Sequence, residues 1–273
     1  ISFLFKDYDE KTGILKIEKN CWNRLDEYFS SIIQLHGKVL YVSDENIDHL
    51  FGHRIKPILK KHANLKEQFV DNNTIEYAMD IAERVIATDI QFIVGLGGGK
   101  VLDICKYAAY VSKTKFISIP TIVSNDGIAS PIAVLKRQDG KPKSLGCAIP
   151  YALFVDLEVI MKSPIKYIKA GIGDTLSNYT ALYDWKLAVK AKKETMKDLA
   201  YLMSSTALDT LLNCRFTQMD YPFIKSLVQS LVLSGIAMDF AGTSRPCSGA
   251  EHLFSHALDY YSKQTNLHGL QVA

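Results

Sequence analysis

Of the seven histidines in this chain, three, His252, His256 and His268, lie between positions 252 and 268. His252 and His256 belong to Ser248-Gly249-Ala250-Glu251-His252-Leu253-Phe254-Ser255-His256. Their four-residue spacing puts both imidazoles on one face of a helix. Far upstream, Lys169-Ala170-Gly171-Ile172-Gly173-Asp174 reads as the opening of another helix and supplies a carboxylate. One carboxylate and two imidazoles, with a coordination position left open, form a ligand set for a catalytic divalent metal. Such a metal is a Lewis acid that lowers the pKa of a bound hydroxyl. A plainer reading stands beside it: two histidines one turn apart as a solvated helix face, and a helix-entry Asp as a cap.

A second group of residues suits a phosphate. Gly95-Leu96-Gly97-Gly98-Gly99-Lys100 stands between an apolar strand pattern and a helical one. Glycines at Gly97, Gly98 and Gly99 let backbone N–H groups approach a ligand closely. The helix N-terminus that follows adds unpaired donors and a partial positive charge. Together they fit a pyrophosphate. The turn is not the usual GxGxxG, because Lys100 stands where the third glycine would, and it follows a late strand instead of the first. The plainer reading is a tight, ligand-free strand–helix turn. Asp44 ends the first clear strand, where a carboxylate accepts hydrogen bonds from an adenosine ribose or simply closes a turn.

The elements that must position these residues are legible in the apolar patterns. Buried strands are expected at 38–44, 68–70, 92–96, 115–120 and 151–156, with helices at 46–62 (despite Pro57), 75–87 (capped by Thr74) and 100–111. Alternating strands and helices predict an α/β fold with a mostly parallel sheet covered on both faces. Residues 127–146 interrupt the alternation with a hairpin turning at Lys136–Lys141. Beyond Ser163-Pro164 the signals are helical, at 165–184, 187–192, 196–212 and 222–241, with no further strand. A boundary near residue 162 is therefore expected, with a nucleotide-binding α/β domain at 1–162 and a helical metal-binding domain at 163–273.

Composition narrows the function classes. The chain has 273 residues, 48% apolar and 22% charged, with a net charge of +3. The basic residues are scattered apart from clusters such as Lys190-Ala191-Lys192-Lys193, which excludes a nucleic-acid footprint. No apolar stretch approaches the roughly 20 residues of a membrane helix, so no membrane insertion is expected. Ile1–Asp7 has neither the charged start nor the apolar run of a signal peptide. The five cysteines, Cys21, Cys105, Cys147, Cys214 and Cys247, are dispersed without a CxxC pair, as reduced thiols of a cytoplasmic protein would be. The chain stops at His268–Ala273 just as an apolar segment begins, so part of the second domain is expected to be missing.

Taken together, the motifs carry a family resemblance. Gly97-Gly98-Gly99 with Asp103 and Lys106 resembles the GGGxxxDxxK signature of the superfamily of iron-containing alcohol dehydrogenases, glycerol dehydrogenases and dehydroquinate synthases. Pro120-Thr121-Ile122-Val123-Ser124-Asn125-Asp126-Gly127 is similar to its next landmark. Gly171-Ile172-Gly173-Asp174 matches the segment with its metal aspartate, and His252 and His268-Gly269 match its metal histidines. Within the superfamily, Ser244-Arg245-Pro246-Cys247-Ser248-Gly249-Ala250-Glu251-His252 and Thr121–Pro131 most resemble glycerol-1-phosphate dehydrogenases, with glycerol dehydrogenases the near neighbour. Dehydroquinate synthases fit less well, having Glu where this chain has Asp174.

The resemblance implies a Rossmann-like domain followed by an all-helical one, NAD or NADP, and one divalent metal: zinc, with nickel or iron as alternatives. It implies interconversion of sn-glycerol 1-phosphate and dihydroxyacetone phosphate, or alternatively oxidation of glycerol. A lyase and a nucleotide-binding module without turnover are the remoter readings, and a homo-oligomer stays open. By resemblance Gly97, Gly98 and Gly99, with Lys100 and Asp103 beside them, hold the cofactor pyrophosphate. Thr121 and Ser124 lie near the nicotinamide half, Asp126 touches substrate hydroxyls, and Asp174, His252 and His268 hold the metal. His256 is assigned to the substrate or proton-relay shell, although spacing alone also allows it to replace His252 as a ligand. Arg245 could bind a substrate phosphate bidentately, or form a surface salt bridge. Lys106 is expected to orient Asp103, and Cys105 to pack as a small buried hydrophobe.

Overall fold

A computed structural model describes residues 14–33, 37–214, 219–262 and 266–273. The expectation for Ile1–Asp7 lies outside the described residues. By contact the chain divides into two compact units: the residues up to Thr121 with Ala133–Glu158, and Ile122–Ile132 with Val159–Ala273.

The first unit opens with strand β1 (Ile14–Glu18), helix α1 (Leu25–Ile32), strand β2 (Gly37–Ser43) and a short helix α2 (Glu45–Ile47). A single π turn (Asp48–Gly52) leads into α3 (His53–His62), which tolerates Pro57, and then β3 (Ala63–Phe69). Next come α4 (Ile75–Ala87), β4 (Phe92–Gly97), α5 (Gly99–Ser112), β5 (Lys115–Pro120), a hairpin of β6 (Ile132–Lys136) and β7 (Pro142–Gly146), and β8 (Ala152–Asp156). The main sheet runs β1-β8-β5-β4-β2-β3 and is parallel throughout. β4 and β8 are buried at every position, as strands covered on both faces must be. The α/β class, the hairpin and the cap of α4 are as expected; Thr74 Oγ1 accepts from Tyr77 N at 3.2 Å. β3 is longer than expected. β1 was not expected at all: it lies at a sheet edge beside β8, and its half-buried residues show no alternation.

The second unit is helical. α6 (Leu157–Met161) leads out of the sheet, followed by α7 (Ile165–Lys190), α8 (Asp198–Leu212), α9 (Tyr221–Ala241), α10 (Ala250–Tyr261) and α11 (His268–Gln271). Two expectations are corrected in α7. The segments 165–184 and 187–192 are one helix, and Asp174 lies in its third turn instead of at its opening, so it is not a cap. α9 packs against α7 and α8 and is apolar almost all round, as a core helix is. It also corrects the expectation that no segment could span a membrane. By length and composition Tyr221–Ala241 qualifies, and 72% of its qualifying window is buried inside the structure.

Candidate active site

In the first unit the glycine turn sits at a special place in the sheet. From β2 the chain moves outward to β3, then returns to β4 on the other side of β2. The carboxyl ends of β2 and β4 therefore flank a topological switch point, where open α/β sheets bind ligands. This explains why the turn follows a late strand. Ser43 Oγ, at the end of β2, donates to the carbonyl of Leu96 at 2.8 Å and ties the two strand ends together. Asp44 Oδ1 accepts from Ile47 N at 2.9 Å and so caps α2. Gly97 O accepts from Thr121 N at 3.0 Å, bringing the exit of β5 beside the turn.

The turn's glycines are required for different reasons. A Cβ on Gly97 would lie 2.9 Å from Val101 Cγ2, so packing inside the protein demands glycine there. A Cβ on Gly99 would meet nothing within 4 Å. The space above the first turn of α5 is open, and the first N–H groups of a helix have no partners within it. The hydroxyl of Thr121 is buried without a hydrogen-bond partner. Leaving such a group unpaired costs about 1–3 kcal/mol. An open cradle over helix N–H donors, beside an orphaned hydroxyl, fits a dinucleotide pyrophosphate.

Lys100 and Asp103 are occupied within the protein. Lys100 Nζ donates to the carbonyl of Asp71. Asp103 Oδ2 accepts from Val134 N at 3.1 Å, tying α5 to β6, and Oδ1 lies 3.5 Å from Nζ of the buried Lys106. Burial holds the Asp103 carboxyl above its ordinary value, against the pull of Lys106. Lys106 thus contacts Asp103 as expected. Cys105 is buried where a Cβ on Gly95 would lie 2.9 Å from its sulfur, and burial pushes its thiol pKa up.

In the second unit the distant motifs meet on α7. A Cβ on Gly171 would lie 2.3 Å from the carbonyl oxygen of Val123, and one on Gly269 would lie 2.0 Å from that of Ala170 and 2.9 Å from that of Ser124. Segment 123–126 and α11 therefore reach α7 backbone against backbone. That approach brings Asp126 N to 2.9 Å from Asp174 Oδ2. Asp174 is 6% exposed, and burial together with the nearby charge of Asp126 raises its pKa well above the carboxylate range. Its Oδ1 lies 3.9 Å from Nε2 of His268. Burial, with smaller contributions from His252 and His256, lowers the His268 pKa to about 4, so this imidazole is neutral at pH 7 and does not form an ion pair. The His252 ring stands edge-on to that of His268, with centroids 4.8 Å apart. His256 is exposed on α10.

Among the described residues no three His, Cys, Asp or Glu side chains close on a common point. The donors are nevertheless adjacent: a carboxyl raised by burial and by the charge of Asp126, a neutral imidazole facing it, and a second imidazole against the first. Each property fits a site for a divalent cation with N/O ligands. Sequence reasoning missed the groups that grip the two rings. Glu251 Oε1 lies 2.7 Å from His252 Nδ1, and Ser255 Oγ lies 3.2 Å from His268 Nδ1. Their signal was present, since Glu251 and Ser255 are one turn apart on the helix that carries His252. Burial pushes the Glu251 carboxyl up, but hydrogen bonds from His252 and Gly249 N–H outweigh it and hold it below its ordinary value. Arg245 forms a half-exposed salt bridge, its Nε 3.3 Å from Glu194 Oε1.

Comparison with known proteins points the same way. Residues 16–164 match the family model described as iron-containing alcohol dehydrogenase. The chain is 36% identical over 251 residues to the glycerol-1-phosphate dehydrogenase [NAD(P)+] of Hyperthermus butylicus, covering 91% of this chain and 72% of that protein. It is 46% identical over 180 residues to the protein of the same name from Methanococcus aeolicus, covering 64% of this chain and 51% of the relative. Among solved structures it resembles a probable glycerol dehydrogenase from Sinorhizobium meliloti, with TM-score 0.76 at 20% identity over 95% of this chain and 73% of that one. This likeness speaks for the fold.

Proposed function

This chain belongs to the iron-containing alcohol dehydrogenase family, and on that premise we propose that it is a metal-dependent, NAD(P)-linked polyol dehydrogenase interconverting sn-glycerol 1-phosphate and dihydroxyacetone phosphate. The substrate follows the named activity of its relatives, of which the chain spans 72% and 51% in the two cases above. The observation that carries the chemistry is Asp174 facing the neutral His268 at 3.9 Å, with the His252 ring against it. Asp174, His252 and His268 would hold the metal, for which zinc is our first choice, with nickel or iron as alternatives. Exposure of His256 supports its assignment outside the ligand set.

Oxidation of a secondary alcohol removes a hydride from carbon, for which NAD(P)+ would be the acceptor, and a proton from the hydroxyl. A bound divalent metal supplies Lewis acidity that lowers the pKa of that hydroxyl. Asp126, whose N–H fixes Asp174 Oδ2, accepts a hydrogen bond from a substrate hydroxyl through its carboxylate. His256 carries the released proton towards solvent. Gly97–Gly99 cradle the cofactor pyrophosphate at the N-terminus of α5, and the Thr121 hydroxyl finds there the partner it lacks within the protein. Ser124 lies near the nicotinamide half, and Asp44 receives the adenosine ribose. Lys100 and Asp103, engaged with Asp71 and with Val134 and Lys106, brace this turn.

The test is oxidation of NADH and NADPH by the full-length, chelator-stripped enzyme, with dihydroxyacetone phosphate and with dihydroxyacetone, before and after zinc or nickel is added. Metal-restored turnover of the phosphate ester is expected. Turnover of dihydroxyacetone alone would move the reading to glycerol dehydrogenase, the activity named for the structural relative. No turnover of either, with metal bound, would overturn it.

A further inference from the structure

Glu251, Ser255 and Asp259 recur every four residues along α10 and so share one helical stripe. Their hydrogen bonds run in one direction only. Asp259 Oδ1 lies 3.0 Å from Gln271 Nε2, and a carboxylate only accepts, so Gln271 turns its NH2 group towards it. Gln271 Oε1 then faces Ser255 Oγ at 2.7 Å and must accept, which uses the single hydroxyl proton of Ser255. Towards His268 Nδ1, 3.2 Å away, Ser255 has only lone pairs left, so Nδ1 carries the ring proton. Glu251 imposes the same state on His252 more directly, by accepting at 2.7 Å from Nδ1. It is held there by the Gly249 N–H at 2.7 Å.

We propose that this stripe of α10, together with Gln271 of α11, sets the tautomer of both histidines, through Asp259, Gln271 and Ser255 for His268 and through Glu251 for His252. The Nε2 lone pairs are then ready for a metal before any metal arrives. None of the four touches substrate or cofactor in this scheme; they are positioning residues. The inference rests on the metal-site reading above. Without Ser255 the neutral His268 ring is free to hold its proton on Nε2, the nitrogen that faces Asp174 at 3.9 Å, and each binding event must first move that proton. Groups that orient metal-binding imidazoles are typically worth about 10–100-fold in metal affinity.

The test uses full-length enzyme with 15N-labelled histidine, stripped of metal, with His268 assigned by loss of its signals in His268→Gln. Ring 15N shifts report the tautomer, and zinc affinity is read by competition with a chelating dye. The wild type is expected to hold His268 as the Nδ1–H form without metal. Ser255→Ala should shift the ring towards Nε2–H and weaken zinc binding about 10–100-fold, while Ser255→Thr restores both. Asp259→Asn, whose amide can donate as well as accept and so no longer fixes which way Gln271 faces, should weaken the bias without touching either ring. An Nε2–H wild-type ring, or a Ser255→Ala protein unchanged in both tautomer and affinity, would overturn the inference while leaving the metal site standing. A correct tautomer that responds to Ser255→Ala, in a protein that takes up no zinc, would support the relay and overturn the metal reading instead.

Discussion

The carbonyl oxygen of Gly269 lies 2.1 Å from the point where a Cβ on Gly173 would stand. α11 therefore rests on α7 with no side chain between them, and His268, the neighbour of Gly269, is carried to Asp174, the neighbour of Gly173. Gly173→Ala must push α11 away. The expected result is a loss of about 1–3 kcal/mol in stability, as overpacking typically costs, together with weakened zinc binding. Thermal unfolding and zinc competition on one preparation would check it. A normal melting point and normal zinc affinity would mean that α11 lies elsewhere.

The ligand assignment separates two histidines one turn apart. His252→Ala should lose stoichiometric metal, and with it a Lewis-acid contribution of several kcal/mol, about a thousandfold in turnover at 1.36 kcal/mol per tenfold. His256→Ala should keep its metal and lose turnover only where proton release is slow. Metal analysis of the two variants decides, and full metal content in His252→Ala with loss in His256→Ala would exchange their roles.

The motifs were legible because their chemistry is local. Gly97–Gly99 between an apolar strand and a helix, and His252 four residues before His256, can be read without knowing what lies opposite. Errors arose where a distant partner decides. Gly171 and Gly173 look like a helix opening, and local pattern alone therefore puts Asp174 at a helix entry. They stand mid-helix because the carbonyls of Val123 and Gly269 press on them, contacts that no local pattern reveals. β1 escaped because its pairing is with β8, more than a hundred residues away, and its apolar residues are only half buried. α9 shows the converse. It is apolar enough for a membrane by composition, and only its packing against α7 and α8 identifies it as core.

The Asp103 pair offers a pH test within the first unit. Burial raises the Asp103 carboxyl above its ordinary value in the fold, so between about pH 4 and that raised value the native state holds a proton that the unfolded chain has lost. Fewer protons on the unfolded state mean that stability falls as pH rises through this window. Asp103→Asn has no proton to lose and should remove this group's share of the fall, leaving that of Asp174. Urea midpoints of wild type and variant between pH 4 and 7 would show the wild type losing ground to the variant as pH increases. If it gained ground instead, Lys106 would be holding the carboxyl below its ordinary value.

Gly97 and Gly99 are separated by one residue and by opposite expectations. Gly97→Ala sets a Cβ 2.9 Å from Val101 Cγ2 and should destabilise the fold by about 1–3 kcal/mol, whatever is bound. Gly99→Ala meets nothing within 4 Å and lies in the first turn of α5, where alanine is the better helix former by up to about 1 kcal/mol. It should therefore keep or raise the melting point. If the space above Gly99 belongs to a pyrophosphate, the added methyl group intrudes on it, and Gly99→Val more so. The Kd for NADH and NADPH should then rise progressively from Gly to Ala to Val while the fold is undisturbed. Fluorescence titration of the reduced cofactors alongside thermal melts separates the two effects. Unchanged cofactor affinity in Gly99→Val would place the pyrophosphate away from the N-terminus of α5.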